Sequence, residues 1–408
     1  MKFRSALVTF VFVTFAVIAC AASNPPPLIL ISMDGFRWDY CDLHPAETPN
    51  LRRLKREGAS ARALISVFPS NTFPNHYSIV TGLYPAHHGI VNNHMFDPRT
   101  GEFFYYTTPK SSREPQWWGG EPIWITAVKQ GRLSACSYWP GSEAAIEGRH
   151  ATYWKPFDYF NTTFEERLET VLGWFKRPEA ERPSVVTFYI EEANSVGHDY
   201  GPDSPEIVAA IKQIDTQVGE LKSRLARIGV TPNFVLVSDH GMTSVSPEHL
   251  LSLDDYLDLK NVQIDDSGST VSLRPRDGDI AALEKSLAKI PHAKVYRAES
   301  LPARFHFADN PRISPLWILP DEGWRCETRA TSRLPRKSGQ PLRGDHGYDP
   351  ALQSMHGILI ASGPSFRKGV VTEPVENIHI YNLLCAALGL KPAPNDGDDR
   401  LVRAMLKN

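Results

Sequence analysis

The sequence predicts an α/β fold with a mainly parallel central sheet and helices on both faces. Three observations predict it. Short, unbroken apolar runs recur at 27–33, 185–190, 233–238 and 357–362, and unbroken runs mark strands buried on both faces. Segments with helical periodicity or helix-start residues separate them, which is the element order of a parallel sheet. Polar and charged residues gather where the runs end, where open α/β sheets place their ligands.

The first run ends in Asp34-Gly35, which puts a carboxylate at a strand's carboxyl end. Thr48-Pro49 opens a helix through Glu57 that Gly58 closes. The run 63–68 stops at Pro69 and leads into Ser70-Asn71-Thr72-Phe73-Pro74-Asn75-His76. Proline suits a first helical turn, so Thr72 sits at the start of a helix running to about Gly82. That end carries free N–H groups and positive partial charge, which suit a phosphate. The plainer role for such a threonine is a cap.

The next loop holds His87, His88, Asn92, Asn93 and His94. Histidines this close together fit metal ligands and surface positions equally well. Asn93 could donate a hydrogen bond to a charged oxygen. A helix ends near Gly131, a strand follows over 133–138, and residues 153–160 read as an aromatic-rich loop. A helix spans 164–175. The run 185–190 then ends in a polar cluster of Glu191, Glu192, Asn194 and His198. Asp203-Ser204-Pro205 starts a long amphipathic helix to about Ile228.

The run 233–238 delivers Asp239-His240-Gly241, and Asp beside His at a buried strand end is a better metal candidate than either alone. Residues 252–315 read as an α+β insertion, with strands near 270–273 and 294–297 and a helix near 280–289. A glycine-bracketed loop carries His346. The last core strand is 357–362 and the last helix 377–388.

The chain has 408 residues, 42% of them hydrophobic and 22% charged, with a net charge of −2. Residues 24–408 read as a single large domain, and the charge argues against a partner such as a nucleic-acid duplex. The N-terminus differs. Met1-Lys2-Phe3-Arg4 is basic and 6–19 is apolar apart from two threonines. Residues 1–22 therefore read as a secretion signal, too short for a comfortable membrane span. Two processing outcomes fit: cleavage at Ala19-Cys20-Ala21, or a lipoprotein-like site at Val17-Ile18-Ala19-Cys20 with lipid on Cys20. Either gives an extracytoplasmic protein, periplasmic or secreted, with that lipid as its one link to a membrane. Cys41, Cys136, Cys326 and Cys385 permit two disulfides, and none has zinc-finger spacing. The sequence sets no oligomeric state.

Separate segments thus carry Asp34, Thr72, Asn194 with His198, Asp239-His240 and His346. Carboxylates and imidazoles suit zinc, with manganese as the alternative. Two such ions about 4 Å apart clamp both oxygens of an in-line displacement.

Four motifs occur in order: Met33-Asp34-Gly35, Phe68 through His76, Ser238-Asp239-His240-Gly241-Met242, and Gly344-Asp345-His346-Gly347-Tyr348. On these the chain resembles the nucleotide pyrophosphatase/phosphodiesterase family of the alkaline phosphatase superfamily, over nearly all of its mature length. The resemblance implies an alkaline-phosphatase-like core and a small-molecule nucleotide or phosphodiester substrate. It implies two Zn²⁺ ions, the first on Asp34, Thr72, Asp239 and His240 and the second on His198, His346 and residue 194. Thr72 would be the nucleophile of a covalent phospho-threonine intermediate. Asn93, with the Thr72 backbone N–H, would stabilise the non-bridging oxygen. Phe73 and Tyr189, with Phe160 or Tyr159 beside them, would stack on the base. His87, His88, His94 and His356 stay outside the site.

One position departs from the family. Its strand usually ends Glu-Glu-Pro-Asp-x-x-Gly-His, whereas here Glu191-Glu192-Ala193-Asn194 places an amide where the second zinc's aspartate belongs. The expectation is a second site with no anionic protein ligand, weak metal binding and dependence on added zinc, unless Glu191 or Glu192 compensates. Alternatives are a phosphomonoesterase, a lipid head-group diesterase, or a catalytically weak binding protein. No arginine adjoins Thr72, which favours diesters over monoesters.

Overall fold

The structure, a computed structural model, describes residues 25–333, 336 and 338–407. The secretion signal and Cys20 lie outside the described residues. The central sheet has eight strands: β1 (Leu28–Met33), β2 (Ala59–Ala61), β3 (Ser134–Ser137), β4 (Tyr153–Lys155), β5 (Val185–Ile190), β6 (Asn233–Val237), β7 (Leu359–Ser362) and β8 (Val370–Thr372). Their spatial order is β8-β2-β7-β6-β1-β5-β3-β4. Every pairing is parallel except those of β7, which runs antiparallel to both neighbours. The edge strand β4 falls where sequence reads an aromatic-rich loop, because its pairing with β3 is not a local property.

β1 shows why its run is unbroken. Leu28 and Leu30 enter the core on one face, with Ile79, Val80, Leu383 and Leu384. Ile29, Ile31 and Met33 enter the core on the other, with Leu51, Leu168, Ile211 and Ile214. Successive side chains alternate across a strand, so a sheet covered on both faces needs apolar residues at every position. The covering helices include α1 (Pro49–Glu57), α2 (Thr72–Thr81), α3 (Phe164–Phe175), α5 (Pro205–Arg227) and α6 (Ile380–Leu388). A short helix, α4 (Glu192–Tyr200), follows β5 directly.

β1 lies between β5 and β6 in matched register, Leu28 facing Val185 and Asn233. All three strands therefore end at one edge, and Asp34, Glu191 and Asp239 emerge there together.

A second, antiparallel sheet has the order Val262–Asp266, Val271–Pro275, Leu316–Pro320, Ala293–Arg297. With the helix Ile280–Leu287 it encloses its own apolar cluster. It draws in Leu316–Pro320, past the segment read from sequence. Two further readings are corrected. A helix, Arg400–Met405, follows α6, so 377–388 is not the last. Cys41, Cys136, Cys326 and Cys385 are all buried and free, so the two-disulfide option is not taken.

Candidate active site

Thr72 is the first residue of α2. The preceding Asn71 is extended and makes no cap with its side chain; its amide donates instead to Asn92 Oδ1 at 2.6 Å. The Phe73 N–H is taken by Asn93 Oδ1 at 2.9 Å. The Asn93 NH₂ is thus the end left to face an oxygen. Thr72 Oγ1 lies 3.3 Å from His240 Nε2.

His240 Nε2 is also 3.0 Å from Asp239 Oδ2 and 3.4 Å from Asp34 Oδ1. The Gly35 N–H donates to Asp239 Oδ1 at 3.3 Å. Gly35 has φ +68°, and a Cβ there would stand 3.0 Å from the Asn194 Cα. Only glycine lets the end of β1 approach α4 so closely.

Asn194 and His198 are one helical turn apart on α4 and so share a face. His346 arrives on the two-residue strand Gly344–Asp345, which pairs with Thr243–Ser244 just past His240. The His240 and His346 rings stack with centroids 3.6 Å apart, and those of His198 and His346 are 5.0 Å apart.

The three imidazoles are set alike. Nδ1 of His198, His240 and His346 lies 2.8, 2.9 and 3.0 Å from the carbonyl oxygens of Gly344, Gly241 and Ser70. A carbonyl only accepts, so Nδ1 carries the proton and Nε2 offers its lone pair, the tautomer that a metal ligand requires.

With no cation between them, these buried groups perturb one another strongly. Burial and the neighbouring Asp239 push Asp34 up to about 7. Burial opposes ionisation of Asp239 too, but His240 and His76 hold its carboxyl well below the usual range. Burial lowers His240, yet Asp239 outweighs it and brings the ring up to about 9. Three buried oxygens, Asp34 Oδ1, Asp239 Oδ2 and Asn194 Oδ1, have no hydrogen-bond donor. Such orphans are costly in a native interior, and a cation is what would satisfy all three. Among the described residues two groups are placed to hold one: Asp34 with Asp239 and His240, and Asp345 with His198 and His346. The residues therefore fit a two-metal site.

These groups open into a cavity of about 830 Å³. Phe73, Tyr106, Phe157 and Phe160 line it, and Phe160 is 60% exposed. Tyr189 lines the cavity as well. Its ring is 6% exposed and its hydroxyl donates to Asp34 Oδ2 at 2.6 Å. His87, His88 and His356 make contacts away from the cavity, to Asp396, Ser78 and Pro350. His94 lines it, held by Asp266 at 3.0 Å.

Sequence reasoning missed His76. Its Nδ1 is 2.9 Å from the Thr72 carbonyl and 3.2 Å from Asp239 Oδ2, and its Nε2 is 2.8 Å from Ser32 Oγ. The signal was present, since a residue four positions after Thr72 lies on the same helical face. Asp345, part of the Gly344–Tyr348 motif, also stands beside His198 and His346.

The family model for type I phosphodiesterase / nucleotide pyrophosphatase matches residues 28–349. Human ectonucleotide pyrophosphatase/phosphodiesterase family member 1 is 38% identical over 401 residues, covering 95% of this chain and 42% of the human one. An uncharacterised pyrophosphatase/phosphodiesterase of Schizosaccharomyces pombe is 39% identical over 384 residues, covering 91% of this chain and 78% of its own. The chain thus spans less than half of the human relative. Among solved structures, murine ectonucleotide pyrophosphatase/phosphodiesterase 5, in an inactive threonine-to-alanine form in complex with AMP, superposes with a TM-score of 0.87 at 34% identity. That match covers 94% of this chain and all of the murine one.

Proposed function

The chain belongs to the type I phosphodiesterase / nucleotide pyrophosphatase family, and on that premise we propose that it hydrolyses nucleotide-type phosphodiester or pyrophosphate bonds and releases a 5′-nucleoside monophosphate. One observation carries the reading: a helix-terminal hydroxyl, Thr72 Oγ1, stands 3.3 Å from His240 Nε2, among buried oxygens that lack donors.

Asp34, Asp239, His240 and Thr72 would hold one divalent cation, and Asn194, His198 and His346 a second; zinc suits these donors. Bound there, two such ions would lower the proton affinity of the threonine hydroxyl and offset phosphate charge. The chain's own groups do the rest. Thr72 gives up its proton to solvent, its oxygen bonds to phosphorus, and the bond to the departing oxygen breaks. That oxygen takes a proton from solvent. Water then adds to the phospho-threonine, and Thr72 leaves with its proton restored. The Asn93 NH₂ faces the non-bridging oxygen, where a fixed donor is worth most as charge develops. Phe73, Phe157 and Phe160 give the base an apolar wall. The inactivating substitution in the murine neighbour, which falls on a threonine, supports the nucleophile.

Diesters are favoured over monoesters by the state of the cavity's arginines. Arg113, Arg325 and Arg336 line it, but each is paired, with Glu143, Asp345 and Asp199. None is free to neutralise the extra charge of a monoester. Export is supported by the N-terminal composition, and no helix among the described residues is long and apolar enough to cross a membrane.

The test compares p-nitrophenyl thymidine monophosphate with p-nitrophenyl phosphate in excess zinc, for the native chain and Thr72→Ala. The expected result is preference for the diester and loss of at least about a thousandfold in turnover with alanine. Monoester preference, or a Thr72→Ala chain as fast as native, would defeat the reading.

A further inference from the structure

We propose that Asp345 supplies the negative charge of the second metal site, in place of the carboxylate absent at position 194. The inference rests on the two-metal reading above and concerns only the charge around that site. Asn194 still aims a buried, donor-free oxygen at the site, but an amide is neutral. Two imidazoles and an amide leave a divalent cation uncompensated in a buried place, which costs heavily.

Three carboxylates are near enough to consider. Glu192 is committed to Tyr159, to Gln217 at 3.3 Å and to Arg167 at 3.5 Å. Glu191 lines the cavity but accepts from the Ser195 hydroxyl, and it joins neither ligand group. Asp345 does join one. It, His198 and His346 each offer a ligand atom, and those atoms lie within 4.8 Å of one another.

Its two oxygens are differently engaged. Oδ2 accepts from Arg325 Nε at 2.7 Å. Oδ1 accepts the His346 N–H at 2.9 Å and lies 3.9 Å from His198 Nδ1, behind the ring whose Nε2 faces the metal. A carboxylate placed behind a ligating imidazole raises that ring's basicity and steadies the bound charge, and the arginine contact orients it there. Arg325 also pairs with Glu327 at 2.5 Å, so its charge is shared and Asp345 is not fully neutralised.

The backbone fixes the placement. Asp345 faces Thr243 across the short ladder. A Cβ on Gly344 would lie 2.3 Å from the Gly197 carbonyl oxygen. The strand bearing Asp345 therefore abuts the helix bearing His198, with no slack for either to drift.

Zinc titration of the chelator-stripped chain by calorimetry, with metal analysis after dialysis, tests the proposal. The native chain should bind two equivalents. Asp345→Asn should hold the second roughly 10- to 100-fold more weakly, and Asn194→Asp in that background should restore it. Asn194→Asp alone should change affinity little, because the charge is already present. Unfolding midpoints of the metal-free chains separate loss of fold from loss of that charge. An Asp345→Asn chain that binds two equivalents as tightly as native overturns the proposal and leaves the proposed function standing. A gain of about tenfold or more from Asn194→Asp alone also overturns it. A native chain that binds no zinc overturns the two-metal reading itself.

Discussion

Tyr189 shows how one atom separates two roles that look identical in sequence. The family resemblance gives Tyr189 a stacking role, and the ring does border the cavity. The hydroxyl, however, donates to Asp34 Oδ2 at 2.6 Å. Burial raises the phenol well above its ordinary value, so it stays a donor at any working pH. Such partners hold a ligand in its coordinating orientation. Tyr189→Phe keeps the ring and removes the donor. It should weaken zinc binding roughly 10- to 100-fold with little change in the unfolding midpoint of the metal-free chain. A stacking residue would show the reverse: unchanged zinc affinity and a raised KM for nucleotide diesters. Calorimetry beside steady-state kinetics decides. As candidates for the site, Asp34, Thr72, Asp239, His240, Asn194, His198 and His346 were all legible, because each sits at a strand end or in a motif. The use of Tyr189, His76 and Asp345 was not, because it depends on which distant chain each side chain meets.

At the scale of elements, local pattern served the deeply buried strands and the capped helices best. β1, β5 and β6 read as unbroken apolar runs because both their faces are covered, and the core is alkaline-phosphatase-like, as the resemblance implies. In sequence α4 shows only a polar cluster and no helix, because Asn194, Ser195 and Gly197 are poor helix formers. Its packing against α5 and the Gly344 strand supplies what propensity lacks. The small sheet was only half legible, since beyond its first hairpin its strands pair across long stretches of chain. Arg312 is one of the residues that fasten it to the core region. Arg312 is 6% exposed and bonds to Asp97 Oδ2, the Gly89 and Trp117 carbonyls, and the Gln116 carbonyl, all at 2.8 to 2.9 Å. Its guanidinium also lies over the Trp117 ring, 4.9 Å from the centroid. Arg312→Met fills similar space but strands three carbonyls and leaves Asp97 to Arg99 alone. The cost should be about 3 kcal/mol, read as a lower urea midpoint. A loss below about 0.5 kcal/mol would show that the contacts are incidental.

For the whole molecule, stability should depend on pH through histidines that fold into neutral environments. His88 is the clearest. Its Nδ1 accepts the Ile90 N–H at 3.1 Å, and its Nε2 sits 3.0 Å from Ser78 Oγ. A nitrogen that accepts an N–H cannot also carry a proton, so the native ring must be neutral. Burial accordingly lowers its pKa from 6.5 to about 3. In the unfolded chain the ring binds a proton below pH 6.5, whereas in the folded chain it does so only near 3. Between those values the unfolded state holds more protons, so stability falls as pH falls. The contribution is fully present above 6.5 and declines by up to about 1.4 kcal/mol per pH unit below it. Urea unfolding at fixed chelator from pH 7.5 to 4.5 measures the slope. His88→Gln should be less stable at pH 7.5 yet lose less on acidification, so the two curves converge. Parallel curves would mean that His88 is protonated in the fold, and the hydrogen-bond assignment at Nδ1 would be wrong.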